Sequence, residues 1–457
     1  MAEAVNLDYV PQTYSTDEQY LITDYAESVG KRDGWWAAFL VFASIFGPQT
    51  EASAILPPIR FVDFVIVFLL MHRWLKSSRL YGGFLLSPRI VMFTCFMLGL
   101  TFVTVLSMGV NYATGRNPFF VKDLYTPLVF IRMILIATIA ASFNFQEKQL
   151  RQLMKGVLAI AAFSVIFAFF QKYDIFGATE LTDRLYPRPS AFKTLGERVI
   201  GTFGNPNHFG GCLVMLAAMV LAFSIHTKRL MRYVSITVYL GVGAAIVMTT
   251  ASRTAFFGYL IVSGISFILS LRRGSRLPAF LSMIVLVAAV IFVSERLHAF
   301  DVHPRVQDIF ARDKTPLANA LSERRAMWSN SLRMAIESPI IGVGPTKFFV
   351  QTTDNGYIYM MLRIGIIGLL IYLFMLLSLF LRGIRGFFLA ASPYRKAVML
   401  ATTMVIVNHA VFEITGEFFW GIKYGEIWAA FAGMLCGMSN QIRSELYAVP
   451  QTPPEGG

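Results

Sequence analysis

Apolar runs of about twenty residues recur along this chain, separated by short polar stretches rich in Arg and Lys. Each run is long enough to cross roughly 30 Å of hydrocarbon as a helix. The pattern predicts spans at 35–50, 59–75, 90–111, 125–143, 153–170, 209–224, 233–248, 255–271, 277–293, 357–381, 397–415 and 422–438. A closed barrel would instead show short alternating segments, which are absent. The expected fold class is therefore an all-α polytopic membrane protein with about twelve transmembrane helices.

Two polar stretches interrupt the regular spacing, 171–207 and 294–356. The second carries Arg296, Arg305, Arg312, Lys314, Arg324, Arg325, Arg333 and Lys347, and ends in Thr353-Asp354-Asn355-Gly356-Tyr357 at the foot of the tenth run. Inside it, 321–337 has helical periodicity, with Trp328, Leu332, Ala335 and Ile336 on one stripe. Such a helix either lies on the membrane surface, with its basic residues toward headgroups, or packs on the spans as a lid. The organisation expected is a cytoplasmic tail over 1–34, a transmembrane catalytic domain over 35–440 with 171–207 and 294–356 as outer loops, and a cytoplasmic tail over 441–457, whose last residues, 449–457, read as disordered.

Composition agrees with the pattern. Hydrophobic residues make up 56% of the 457, and only 15% are charged, against about 25% in soluble domains. The net charge of +13 decides orientation and partners. Basic clusters near residues 31, 73, 151, 229, 273 and 385 fall at every second connection, which places both termini in the cytoplasm. The loops 171–207 and 294–356, the turn at Arg253 and the turn 413–422 then face outward. The remaining positive charge calls for anionic headgroups or a phosphate-bearing substrate. Nucleic acid is excluded, because no soluble basic domain exists to bind it. Cys95, Cys212 and Cys436 all lie in apolar runs, so neither a disulfide nor a metal site is expected. No cofactor is expected. The first thirty residues are polar and acidic, with no signal-peptide core.

Charges inside spans are costly and therefore candidates for function. Arg132 lies about seven residues into the fourth span, and Arg363 is similarly deep in the tenth. Each either binds substrate or pairs with an intramembrane carboxylate or a lipid phosphate. Arg60 and Asp63 are spaced for a local ion pair. His409 and Glu413 are spaced for a structural hydrogen bond. In the first polar loop, Asn205-Pro206-Asn207 makes a tight turn whose amides and side chains can approach a phosphate, with Arg198 placed to grip one. Arg253 stands at another outer helix end. Singly, each arginine reads as a headgroup anchor; together they suit a pyrophosphate. His208 is either interfacial or a proton-transfer group. Asp354 is either a general base or the N-cap of the tenth span, and spacing alone favours the cap.

These pieces resemble the O-antigen ligase and polymerase superfamily of bacterial envelope proteins. The resemblance rests on Arg198-x-x-Gly201-Thr202-Phe203-x-Asn205-Pro206-Asn207, on Ser252-Arg253, on Arg325-x-x-Trp328 with Pro339-x-x-Gly342-x-Gly344, and on Asn355-x-Tyr357 followed by Gly365-Ile366-Ile367-Gly368. Arg60-x-x-Asp63 also agrees, and the ordered set covers about 55–440. The resemblance implies a type C glycosyltransferase-like fold in the bacterial cytoplasmic membrane. It implies metal-independent, inverting transfer of undecaprenyl-pyrophosphate-linked glycans at the outer face. Arg198 and Arg253 match the pyrophosphate ligands; Asp354 stays the candidate base by its own placement, and Asn205, Asn207, His208, Arg132, Arg325, Asn355, Tyr357 and Arg363 are the remaining substrate-side candidates.

Ligases of the family carry His where this chain has Asp354. That departure favours polymerisation of lipid-linked repeat units into an envelope polysaccharide. The alternatives are ligase-type transfer to lipid A core or protein, and a transporter or flippase of the same lipid. Transporters often show internal repeats, and none is visible here. The expected partners are the lipid-linked glycan and membrane lipids, with room for a chain-length regulator and a flippase.

Overall fold

A computed structural model describes residues 31–50, 58–77, 90–117, 120–186, 198–226, 229–271, 315–345 and 353–447. The expected ninth span, 277–293, the basic stretch 294–314, Lys347 and both extreme tails lie outside the described residues. Everything described is helix and connection, with no strand; a single antiparallel bridge joins Gln49 to Arg60. The helices are α1 (Asp33–Phe46), α2 (Phe61–Ser77), α3 (Val91–Ala113), α4 (Tyr125–Ala141), α5 (Glu147–Lys172), α6 (Ala178–Leu185), α7 (Pro206–His226), α8 (Arg229–Ala245), α9 (Arg253–Leu271), α10 (Thr315–Ile336), α11 (Gly356–Leu389), α12 (Pro393–Phe412) and α13 (Ile422–Tyr447).

Six of these are long and apolar enough to cross a membrane: α3, α4 with the turn before it, α5, α7, α8 with its continuation to Thr250, and α11. Their outward faces are bulky and apolar, as at Leu98, Phe102 and Val105 on α3. With no water in hydrocarbon to drive burial, small residues let the inner helices approach closely. Gly433 and Gly437 on α13 lie against Ala137 and Ala141 of α4. A Cβ at either glycine would come within 2.3 and 2.5 Å of those carbonyl oxygens. The innermost helix, α7, is buried along nearly its whole length.

The polar ends of the helices separate into two groups. At one end Arg73 pairs with Asp33 at 2.7 Å, Asp33 accepts from the amide of Asn144 at 2.8 Å, and Arg395 grips Glu445. The other end collects the end of α1 and the starts of α2, α4, α7, α11 and α13, and here the candidate site lies.

Three expectations need correction. The stretch 171–207 is not all loop, because α5 runs to Lys172 and α6 follows at Ala178–Leu185. The lid helix starts at Thr315, six residues before the predicted 321. Its apolar stripe does not all face inward: Ala335 is buried, with Ser331 beside it, while Leu332 is exposed and Ile336 is 70% exposed. Ala335 and Ser331 face inward with part of Trp328, while Leu332 and Ile336 point away.

Candidate active site

A cavity of about 620 Å3 opens at that second end. The chain reaches it by turns that are tied down from several sides. Asn205 accepts from the amide of Asn207 at 2.8 Å and so starts α7, with Pro206 in the first turn. The amide of Gly201 donates to Gln171 at 2.9 Å, and the Thr202 hydroxyl donates to the carbonyl of Ile45. Asn205, Asn207 and His208 line the cavity, and His208 rests against Phe418 and Tyr424.

Arg198 is held by two acceptors. Its Nε donates to the Thr250 carbonyl and its Nη2 to Asn207, each at 2.9 Å. Val199 donates to the Thr249 carbonyl, also at 2.9 Å. The residues receiving these bonds end in a π-helical turn and a left-handed Ala251 (φ 47°), immediately before Ser252 and Arg253 at the start of α9. The two arginines are thus carried on adjoining turns. Neither is among the residues lining the cavity; Arg198 reaches it through Asn207.

The arginines in the wall are Arg132 and Arg363. Arg132 binds Asp63 at 2.9 Å and Glu426 at 3.1 Å, and Glu426 also pairs with the buried Arg60. The expected Arg60–Asp63 ion pair is not formed. Asp63 instead caps its own helix, accepting from the amide of Arg60 at 2.8 Å, and gives its other oxygen to Arg132. Capping and cross-helix pairing use both Asp63 oxygens and leave the Arg60 guanidinium for the buried Glu426.

Arg363 is placed by a break in α11. Gly365 has φ 66° and ψ −171°, which interrupts the helix and frees its backbone groups. The loop after α10 answers them. Val343 donates to Leu362 at 2.8 Å, Gly344 to Arg363 at 2.9 Å, and Ile366 donates to Pro339 at 2.9 Å. From α3, Asn111 donates to the Gly342 carbonyl at 3.0 Å. Irregular backbone at membrane depth requires such internal partners. The Arg363 guanidinium then lies 4.6 Å from the centre of the Tyr359 ring, with a bond to the Gly344 carbonyl at 3.3 Å.

At the start of α11 the N-cap is Asn355, whose side chain accepts from Tyr357 and Ile358 at 3.0 Å. The capping role that spacing favoured for Asp354 therefore belongs to its neighbour. Asp354 is left-handed (φ 48°), about half exposed, lines the cavity, and lies 3.7 Å from Arg324 of α10. Asn355 and Tyr357 are not among the lining residues. The Tyr357 hydroxyl instead donates to the Ala410 carbonyl at 2.6 Å and so docks α11 on α12. Arg325 is exposed on α10, away from the wall.

The cavity contains two charged groups that the sequence did not single out. Lys423, in the first turn of α13, lies 3.9 Å over the Tyr186 ring. Glu417, in the turn between α12 and α13, accepts from the amide and, at 3.1 Å, the hydroxyl of Thr353. Burial holds the Glu417 carboxyl above the usual carboxylate range; the Thr353 bonds and Arg363 oppose that shift, and Asp354 adds to it. The one signal for Glu417 in the sequence was its place in a short outward turn. His409 and Glu413, expected to share a hydrogen bond, are 3.8 Å apart; His409 bonds the Tyr372 hydroxyl instead, at 2.7 Å. Among the described residues no three His, Cys, Asp or Glu converge as a metal-binding group.

A family model described as O-antigen ligase matches residues 238–373, from α8 through Arg253, α10 and the docked loop to Arg363 and the α11 break. That match agrees with the resemblance of the motifs to the O-antigen ligase and polymerase superfamily. No curated protein matches the chain.

Proposed function

We propose that this membrane protein polymerises oligosaccharide repeat units carried on undecaprenyl pyrophosphate, at the outer face of the cytoplasmic membrane. The observation carrying this reading is the cavity, which sits at the helix ends opposite the basic clusters and puts Arg132, Arg363 and Lys423 in one wall with Asp354 and Glu417. Cations suit a pyrophosphate, and carboxylates suit the proton of an attacking hydroxyl. Arg198 and Arg253, on adjoining turns behind Asn207, are assigned to the departing pyrophosphate.

In the proposed step, a hydroxyl at the non-reducing end of one lipid-linked unit attacks the anomeric carbon of a second. The bond from that carbon to the pyrophosphate oxygen breaks, and the electron pair leaves on the pyrophosphate, where guanidinium groups offset the charge. A single displacement inverts the anomeric centre. No metal is assigned, so turnover should persist in a chelator. Asp354, where family ligases carry His, favours polymerase over ligase.

The test is turnover by purified protein in detergent, supplied with a defined lipid-linked repeat. Ladders on the carrier lipid are expected, and Arg253→Glu should abolish them while single repeats accumulate. Wild-type chain lengths from Arg253→Glu would overturn the assignment. A new conjugate on a core-lipid acceptor would indicate a ligase. Any turnover excludes pure transport, because detergent offers no second compartment.

A further inference from the structure

We infer that Glu417 is the catalytic base, the group that takes the proton from the acceptor hydroxyl. This rests on the glycosyl-transfer reading above and names the residue that performs one of its steps. Among the described residues two carboxylates line the cavity, and they are held differently. Asp354 is about half exposed and faces Arg324 across 3.7 Å. Glu417 sits deeper, and both of its hydrogen bonds from Thr353 fall on Oε1. That anchors Oε1 and leaves Oε2 without a hydrogen bond among the described residues, on a side chain that lines the cavity. Because Thr353 immediately precedes Asp354 and Asn355, the docking of α11 also sets the position of Glu417.

The groups facing Glu417 come from every element around it. They are Asp354 and Thr353 from the loop before α11, Arg363 and Tyr359 from α11, and Glu413 from the end of α12. Burial, and to a lesser degree Asp354, favour the protonated form, while Thr353 and Arg363 favour the ionised one. The balance lies on the raised side, which makes the ionised Glu417 a stronger proton acceptor than an ordinary glutamate. When the acceptor oxygen bonds to the anomeric carbon, its proton passes to Glu417 Oε2. The carboxyl returns the proton to solvent as the products leave. Since only the ionised form can act, the rate should fall with falling pH along a limb above the ordinary Glu value of about 4.3.

The experiment measures pH–rate profiles of the full-length protein with the defined lipid-linked repeat. Glu417→Gln keeps an acceptor for Thr353 but cannot take the proton; kcat should fall by at least about 100-fold with KM little changed, and the acidic limb should vanish. Glu417→Asp should retain the limb with lower kcat, which separates lost chemistry from lost folding. Asp354→Asn should lower turnover yet keep the limb. The inference is overturned if Glu417→Gln keeps wild-type kcat and the limb, or if the limb disappears in Asp354→Asn alone. Should the wild type transfer glycan to a core-lipid acceptor instead of a second repeat, the polymerase reading fails. The same variants then decide the role of Glu417 on that acceptor.

Discussion

Glu426 shows how charge is handled inside the bundle. It is fully buried and receives two arginines, Arg60 from the start of α2 and Arg132 from α4, with Asp63 completing a group of two cations and two anions. Removing one member of a buried set leaves an uncompensated charge, at a cost of about 3–5 kcal/mol. Glu426→Gln should therefore lower the unfolding temperature in detergent clearly, and Arg60→Met with Glu426→Met together should cost less than Glu426→Gln alone. An additive pair would argue against the network. At this scale the sequence told which residues carry charge within spans, but not their partners. Arg60 and Asp63 were legible as neighbours. The actual partner of Arg60, Glu426, lies more than 350 positions away, and that of Asp63 is Arg132 on another helix; only packing brings them within reach. Asp354 and Asn355 illustrate the same limit: both residue types cap helices well, and the left-handed backbone at Asp354 decides between them.

The sequence motifs Pro339-x-x-Gly342-x-Gly344 and Gly365-Ile366-Ile367-Gly368 become one device at the scale of elements. The second opens α11, and the first fills the opening with matching donors and acceptors. Each motif was legible alone; that they meet was not, because their union depends on backbone groups exposed only when Gly365 leaves the helix. A Cβ at Gly365 would stand 2.2 Å from the Ile340 carbonyl oxygen, on a backbone conformation that costs other residues about 1–3 kcal/mol. Gly365→Ala should expel the loop, displace Arg363 and cut turnover steeply. Trypsin cleavage near the exposed Arg333 at the end of α10 should quicken at the same time. Gly264→Ala on α9, where a Cβ meets nothing within 4 Å, should change neither. Unchanged proteolysis in Gly365→Ala would mean that the loop stays docked without the break.

For the whole molecule, hydrophobic periodicity placed the helices well, since a span must be apolar along most of its length whatever it packs against. It placed the connections poorly, because α6 is polar and the first turns of α10 are too short an apolar stretch to register as a span. The arrangement of helix ends adds a physical argument for orientation. Asp33, Arg73, Glu147, Arg151, Arg395 and Glu445 gather at one end with the basic clusters, and the cavity occupies the other. Under the positive-inside rule our proposal makes the first end cytoplasmic and opens the cavity outward, where a lipid-linked glycan would be presented. In a variant with Cys95, Cys212 and Cys436 replaced, a single cysteine at the exposed Glu180 on α6 should react with an impermeant maleimide in intact spheroplasts. One at the exposed Ala391, between α11 and α12, should react only after lysis. The reverse pattern would turn the cavity toward the cytoplasm and, with it, exclude chemistry on a glycan displayed at the outer face.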